Sequence, residues 1–162
     1  RTGRTMKRLG MAAALALCGW AAWAEMRDEA FLVADRTVLI RVVDTQEIMT
    51  VGLNADDQSQ VLSGADIEVL ATTGDPDSLA LVGQAVVVTR VFGSHSCETG
   101  DAWLYHVVTL GSPAMTEGPV SSCAELTVSF TPGAVVLEQD PGSGAGEFWA
   151  WRPGRGFSDR LE

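Results

Sequence analysis

From residue 37 onward the apolar residues fall into short runs, many of them β-branched, separated by turn formers. The runs are 37–43 (TVLIRVV), 48–53, 67–73, 85–92, 102–110, 126–131, 134–139 and 148–151. Runs of this length and composition predict strands, because branched and aromatic side chains suit a pleated, half-buried surface. Pro132-Gly133 separates 126–131 from 134–139 and predicts a tight turn: Pro presets φ and Gly accepts a positive one. The runs 85–92 and 102–110 flank a loop of Gly, Ser and Cys and predict a hairpin with a long tip. Helical period is scarce. Residues 25–34 (EMRDEAFLVA) offer one or two helical turns anchored by Phe31 and Leu32, and 56–62 one more, capped by Asp and stopped at Gly64. The expected fold is mostly β: a small antiparallel sandwich or partly open barrel of about seven or eight strands.

Two segments resemble each other. Residues 83–105 and 133–151 each run as strand, Gly/Ser loop, then Gly-acid-x-Trp-x-aromatic. Gly100, Trp103 and Tyr105 map onto Gly146, Trp149 and Trp151 at a constant offset of 46. A repeat of that period can mark propeller blades, but this chain is too short to close a ring of them. Two related β-hairpin units within one domain is the better account.

The N-terminal stretch has a different pattern. Met6-Lys7-Arg8 precedes an apolar run over 9–23 that closes in Ala22-Trp23-Ala24. A cationic start, an apolar middle and a small-x-small site predict a signal peptide over 6–24, cut after Ala24. The run is too short and Ala-rich for a membrane span. Residues 1–5 read as upstream read-through, and 25–162 as one exported domain, periplasmic or secreted. Leu15-Ala16-Leu17-Cys18 resembles a lipoprotein processing box, which would anchor the chain by lipid on Cys18. Leu17 is bulky where that box requires a small residue, so cleavage after Ala24 is expected instead.

Removing the leader sharpens the charge. Residues 25–162 hold seven Arg, no Lys and 21 acids, a net charge of −14. Such a surface repels phosphate backbones and anionic lipid, which argues against nucleic acid as a partner. After cleavage two cysteines remain, Cys97 and Cys123. In an oxidising compartment they are expected to pair, closing a loop worth about 3.5 kcal/mol of unfolded-chain entropy.

Candidate chemistry is thin. His95 sits in the tip sequence Gly-Ser-His-Ser-Cys, with Ser94 and Ser96 beside it, but no Gly-x-Ser-x-Gly elbow occurs. Alternation puts His106 on the face of Leu104, Val108 and Leu110, opposite Trp103, Tyr105 and Val107. Asp75-Pro76-Asp77 lacks the further ligands of a calcium loop and reads as a surface turn. Spacing indicates no metal site and no cofactor. Trp103 and Tyr105 share one strand face, as do Trp149 and Trp151, so each pair is either core filling or a platform for sugar rings. The expectation is a non-enzymatic exported domain that binds an envelope protein or glycan. The alternatives are a small hydrolase using His95 or His106, and a glycan-binding module using the Trp pairs.

Overall fold

A computed structural model describes residues 28–160. The expected leader, its cleavage point and Cys18 lie outside the described residues. The described chain is mostly β, in two antiparallel sheets. The first is a seven-stranded meander of β1 (Asp28–Val33), β2 (Arg36–Val43), β3 (Gln46–Asn54), β4 (Asp57–Thr72), β5 (Val86–Cys97), β6 (Gly100–Thr109) and β7 (Met115–Ser122). The second contains β8 (Thr127–Thr131), β9 (Ala134–Glu138), β10 (Phe148–Arg152) and β11 (Gly156–Ser158), in the order β11-β10-β9-β8. One short helix, α1 (Pro76–Val82), links β4 to β5.

The long strand β4 organises the larger sheet. Its first half pairs with β3 and its second half with β5, and it bends between them. At the bend Asp66 takes φ 49°, and the Ile67 N–H donates to Glu47 Oε2 at 2.5 Å. The sheet curls there, and its two halves enclose a first core of Val33, Val38, Ile40, Met49, Val51, Leu62 and Ile67 with Val87, Val91, Val108 and Leu110. Across the curl, Thr116 Oγ1 donates to the Val61 carbonyl at 2.6 Å and ties β7 to β4.

The other face of β5 and β6 meets the four-stranded sheet. Val86, Val88, Tyr105 and Val107 pack there against Leu126, Val135, Leu137 and Trp151 in a second core. The inner part of the β5–β6 hairpin is thus buried on both faces, which is why 86–88 is an unbroken apolar run rather than an alternating one. The two repeat units are the hairpins that face each other across this second core. Equivalent positions have equivalent burial: Tyr105 and Trp151 are fully enclosed, Trp103 and Trp149 half-buried.

Four local outcomes differ from the sequence expectation. The helical turns expected over 25–34 are strand β1 where the chain is described, because Phe31 and Val33 alternate inward onto the first core while Leu32 points out. The helical turn expected over 56–62 is the start of β4. Asn54 Oδ1 accepts the N–H groups of Asp56 and Asp57 and turns the chain back on itself. Gly64 is no helix stop: a Cβ there would lie 2.4 Å from Val91 Cγ1, so glycine marks a close approach inside the sheet. The turn expected at 75–77 starts α1, with Asp75 Oδ1 accepting from the Ser78 N–H at 2.8 Å, Pro76 in the first turn and Gly83 closing the helix at φ 82°.

Candidate functional site

The richest cluster of chemistry-bearing side chains lies at the outer end of the β5–β6 hairpin. Register pairs Phe92 with Trp103 and Ser94 with Ala102, and closes the hairpin at Cys97 opposite Gly100. The tip is therefore shorter than the loop expected from sequence, because β5 continues as strand through 93–97. Two irregularities in the ladder, between Phe92 and Ser94 and between Ser94 and Cys97, break strict alternation and re-aim the side chains along 93–97.

Cys97 and Cys123 form a disulfide with Cα atoms 5.7 Å apart. It clasps the chain just beyond β7 to the end of β5, spanning the intervening β6. Inward from this clasp the side chains form a continuous row. The Arg90 guanidinium lies 4.5 Å from the Trp103 ring centroid. Its Nε donates to Glu68 Oε2 at 2.6 Å, and Glu125 Oε1 stands 3.7 Å from Nη1. Trp103 meets Phe92 edge-on, with centroids 5.9 Å apart and planes at 84°. Phe92 in turn carries the His95 ring at 4.7 Å. His95 Nδ1 is 2.6 Å from Asp101 Oδ1, reaching back across the hairpin to β6. The row is held by cation–π, edge-to-face and charge-assisted contacts, each worth about 0.5–2 kcal/mol. Its outer end is open: the His95 side chain is 83 % exposed and Asp101 39 %.

In the tautomer that donates Nδ1–H to Asp101, Nε2 would be left as an acceptor. That is the base-and-orienter half of a nucleophilic triad. Ser94 and Ser96 do not complete it, because their hydroxyls bond each other at 2.6 Å. His106 stands apart. It is almost fully buried on the first-core face opposite Thr89, and His106 Nδ1 and Thr89 Oγ1 have no hydrogen-bond partners. Burial holds the His106 pKa below its ordinary value, because desolvation disfavours the charged ring.

The aromatic pairs split. Tyr105 and Trp151 have no exposed surface. The Tyr105 hydroxyl accepts from the Leu126 N–H at 3.0 Å and donates to the Ala124 carbonyl, and Trp151 Nε1–H donates to Glu117 Oε2 at 2.5 Å. Trp103 and Trp149 pack on the same core from its margin and keep part of their rings accessible. Any platform for a ligand is left to these two. Among the described residues no group of three or more His, Cys, Asp or Glu side chains is arranged to hold a metal ion.

Sequence reasoning named His95, Ser94, Ser96 and Trp103 separately but missed Arg90, Phe92 and Asp101 as their partners. One signal was available: in a hairpin, 90 and 92 on one strand share a face with 103 and 105 on the other. Comparison with family models, with curated proteins and with solved structures found no match. Among the described residues no helix is long and apolar enough to cross a membrane. Fold and site together define a disulfide-bonded, two-sheet β-domain with an ordered polar and aromatic hairpin tip.

Proposed function

We propose that this chain is an exported, non-enzymatic domain that binds a protein or glycan partner in the cell envelope through the β5–β6 tip. The observation that carries this reading is the clasped row from Glu68 through Arg90, Trp103 and Phe92 to His95 and Asp101. A surface whose side chains are already fixed loses little entropy on contact, and each rotamer-rich side chain otherwise costs about 0.5–1.5 kcal/mol to immobilise. The leader-like sequence and the disulfide support export. The acidic surface supports a neutral or cationic partner over an anionic one.

The test is binding of the disulfide-bonded protein to solubilised envelope proteins and to peptidoglycan fragments, with His95→Ala/Asp101→Ala beside it. The expected result is saturable binding lost in the double variant. Binding that ignores the tip variant would overturn the assignment of the site.

The pair of His95 Nδ1 and Asp101 Oδ1 at 2.6 Å favours one second reading, a small hydrolase. It requires Ser94 or Ser96 to turn from its partner onto His95. Reproducible ester or amide hydrolysis abolished by both His95→Ala and the serine substitution would establish it. A glycan-binding role for Trp103 and Trp149 predicts quenching of Trp fluorescence by polysaccharide.

A further inference from the structure

A second place in the fold, remote in sequence from the tip, is built like a binding site. Val38 and Ile40 of β2 lie in the first core, so strand alternation brings Arg36, at the start of β2, to the same inner face at the open end of the curled sheet. Val51 of that core forms the floor, and Ser59 is its register partner across β3 and β4. The loop 111–114, between β6 and β7, folds over this mouth, and Arg36 Nη2 donates to Ser112 Oγ at 3.1 Å. Between them is a cavity of about 150 Å³ lined by Arg36, Val51, Asp57, Ser59 and Ser112 among others.

The guanidinium there is under-partnered. The Arg36 side chain is only 15 % exposed, and its Nε is buried without a hydrogen-bond acceptor. Asp35 Oδ1 stands 3.7 Å away, beyond hydrogen-bonding reach, on a side chain 80 % exposed. A guanidinium carries five N–H donors, and a charge taken out of water needs them paired. The serine hydroxyl takes one donor from Nη2, while the buried Nε–H has none.

The walls set the charge pattern of what would meet it. Asp57 lines the same cavity, so a lone anion drawn to Arg36 meets a carboxylate, and a lone cation drawn to Asp57 meets a guanidinium. A molecule carrying both charges satisfies both walls. The backbone of Asp57 is fixed: its N–H donates to Asn54 Oδ1 at 3.1 Å, and a Cβ at Gly52 would lie 1.3 Å from its carbonyl oxygen. The volume sets the size. A cavity of roughly 150 Å³ holds a benzene-sized molecule, well below drug-sized sites of about 300 Å³ and more.

We propose that this mouth binds a small zwitterion of α-amino-acid size, with its carboxylate on Arg36 and its ammonium toward Asp57. The site is independent of the hairpin tip, so either assignment can fail alone. The experiment is an NMR titration of the disulfide-bonded protein with glycine, L-alanine and L-serine, and separately with acetate and methylammonium. The expected result is saturable shifts confined to the amides of Gly52, Ser59, Gly111, Ser112 and Ala114 and the Arg36 side chain. Acetate and methylammonium should each bind at least about tenfold more weakly, since each forfeits one charge-assisted pair. Arg36→Met should abolish the shifts, and Asp57→Asn should weaken binding by about tenfold or more. Because Arg36→Met also removes the link to the 111–114 loop, Ser112→Ala is the control: it breaks that link, keeps the guanidinium and should still bind. Absence of saturable shifts with all three amino acids would overturn the proposal. So would acetate binding as tightly as glycine, or binding unchanged in Arg36→Met or Asp57→Asn.

Discussion

Replacing both cysteines, as Cys97→Ser/Cys123→Ser, isolates what the clasp contributes. Cys97 is half-buried and Cys123 exposed, so losing the sulfurs forfeits little packing, and the main effect falls on the unfolded chain. The bond links residues 26 apart. In the chain-entropy model a loop of that size restricts the unfolded ensemble by about 3.5 kcal/mol, a large share of the roughly 5–15 kcal/mol that holds a domain together. For a domain of this length the melting temperature should fall by about 10 °C. Urea unfolding and thermal melts, both followed by circular dichroism, measure the two quantities. The urea series should also show a steeper denaturant dependence, because an uncrosslinked chain exposes more surface when unfolded. The clasp also holds the tip row, so loss of the bond should weaken the proposed binding at His95 and Asp101 beyond its effect on stability. Destabilisation below about 1 kcal/mol would refute the entropic reasoning, and two free thiols titrating on the unreduced native protein would refute the bond itself.

The remaining predictions follow from buried groups and backbone geometry. Tyr105→Phe removes the acceptor of the Leu126 N–H and should cost about 1–3 kcal/mol in denaturant unfolding, the price of a buried donor left unpaired. Gly83→Ala, at φ 82° with open space around its Cβ, should cost about 1 kcal/mol from backbone strain alone, whereas Gly52→Ala should block folding, because its Cβ would overlap the Asp57 carbonyl; thermal melts of the two compare them. His106 predicts acid sensitivity. Its folded pKa is depressed below the ordinary 6.5, so the unfolded chain takes up the proton first; stability is full above that value and falls as the pH drops below it. His106→Gln should flatten this slope between about pH 7 and 5, and an unchanged slope would show that the buried ring is not its source.

Strand positions were legible in the chain where a run of Val, Ile or Thr faced one or two cores, as at 37–43, 86–91 and 134–138. The segments that went unread share a physical reason. In β7, Met115–Ser122, only Val120 and Ser122 are buried; its pairing partner β6 supplies the rest, so its own composition looks like loop. The first half of β4 is polar because it runs at the rim of the curl, where Gln58 and Gln60 face outward or bond to neighbouring backbone and side chains. Strand β11 is three residues long and exists by pairing with β10. The disulfide was legible from cysteine count. The tip row was not, because Arg90, Phe92 and Trp103 meet only once the hairpin register is known, and a ladder irregularity resets the phase before His95. Arg36 was invisible for a related reason: its place at a mouth depends on which end of the curled sheet the 111–114 loop covers.

The repeat gives the last step. If Trp103 and Tyr105, with Trp149 and Trp151, were a ligand platform duplicated with its hairpin, both members of each pair would stay accessible. Instead the inner member of each is sealed and the outer one half-covered, in both hairpins alike. The duplicated element is therefore a packing device, two hairpins presenting the same aromatic pair to one shared core. What is not duplicated is the chemistry beyond it. The loop after β9 has Gly142, Gly144 and Gly146 in the left-handed region with an exposed chain around them. The tip of β5–β6 has Phe92, His95, Asp101 and the clasp. One hairpin carries a glycine-rich loop and the other a fixed row of side chains. That asymmetry, on top of a common structural unit, is the strongest reason to look for function at the β5–β6 tip rather than in the paired aromatics as a platform.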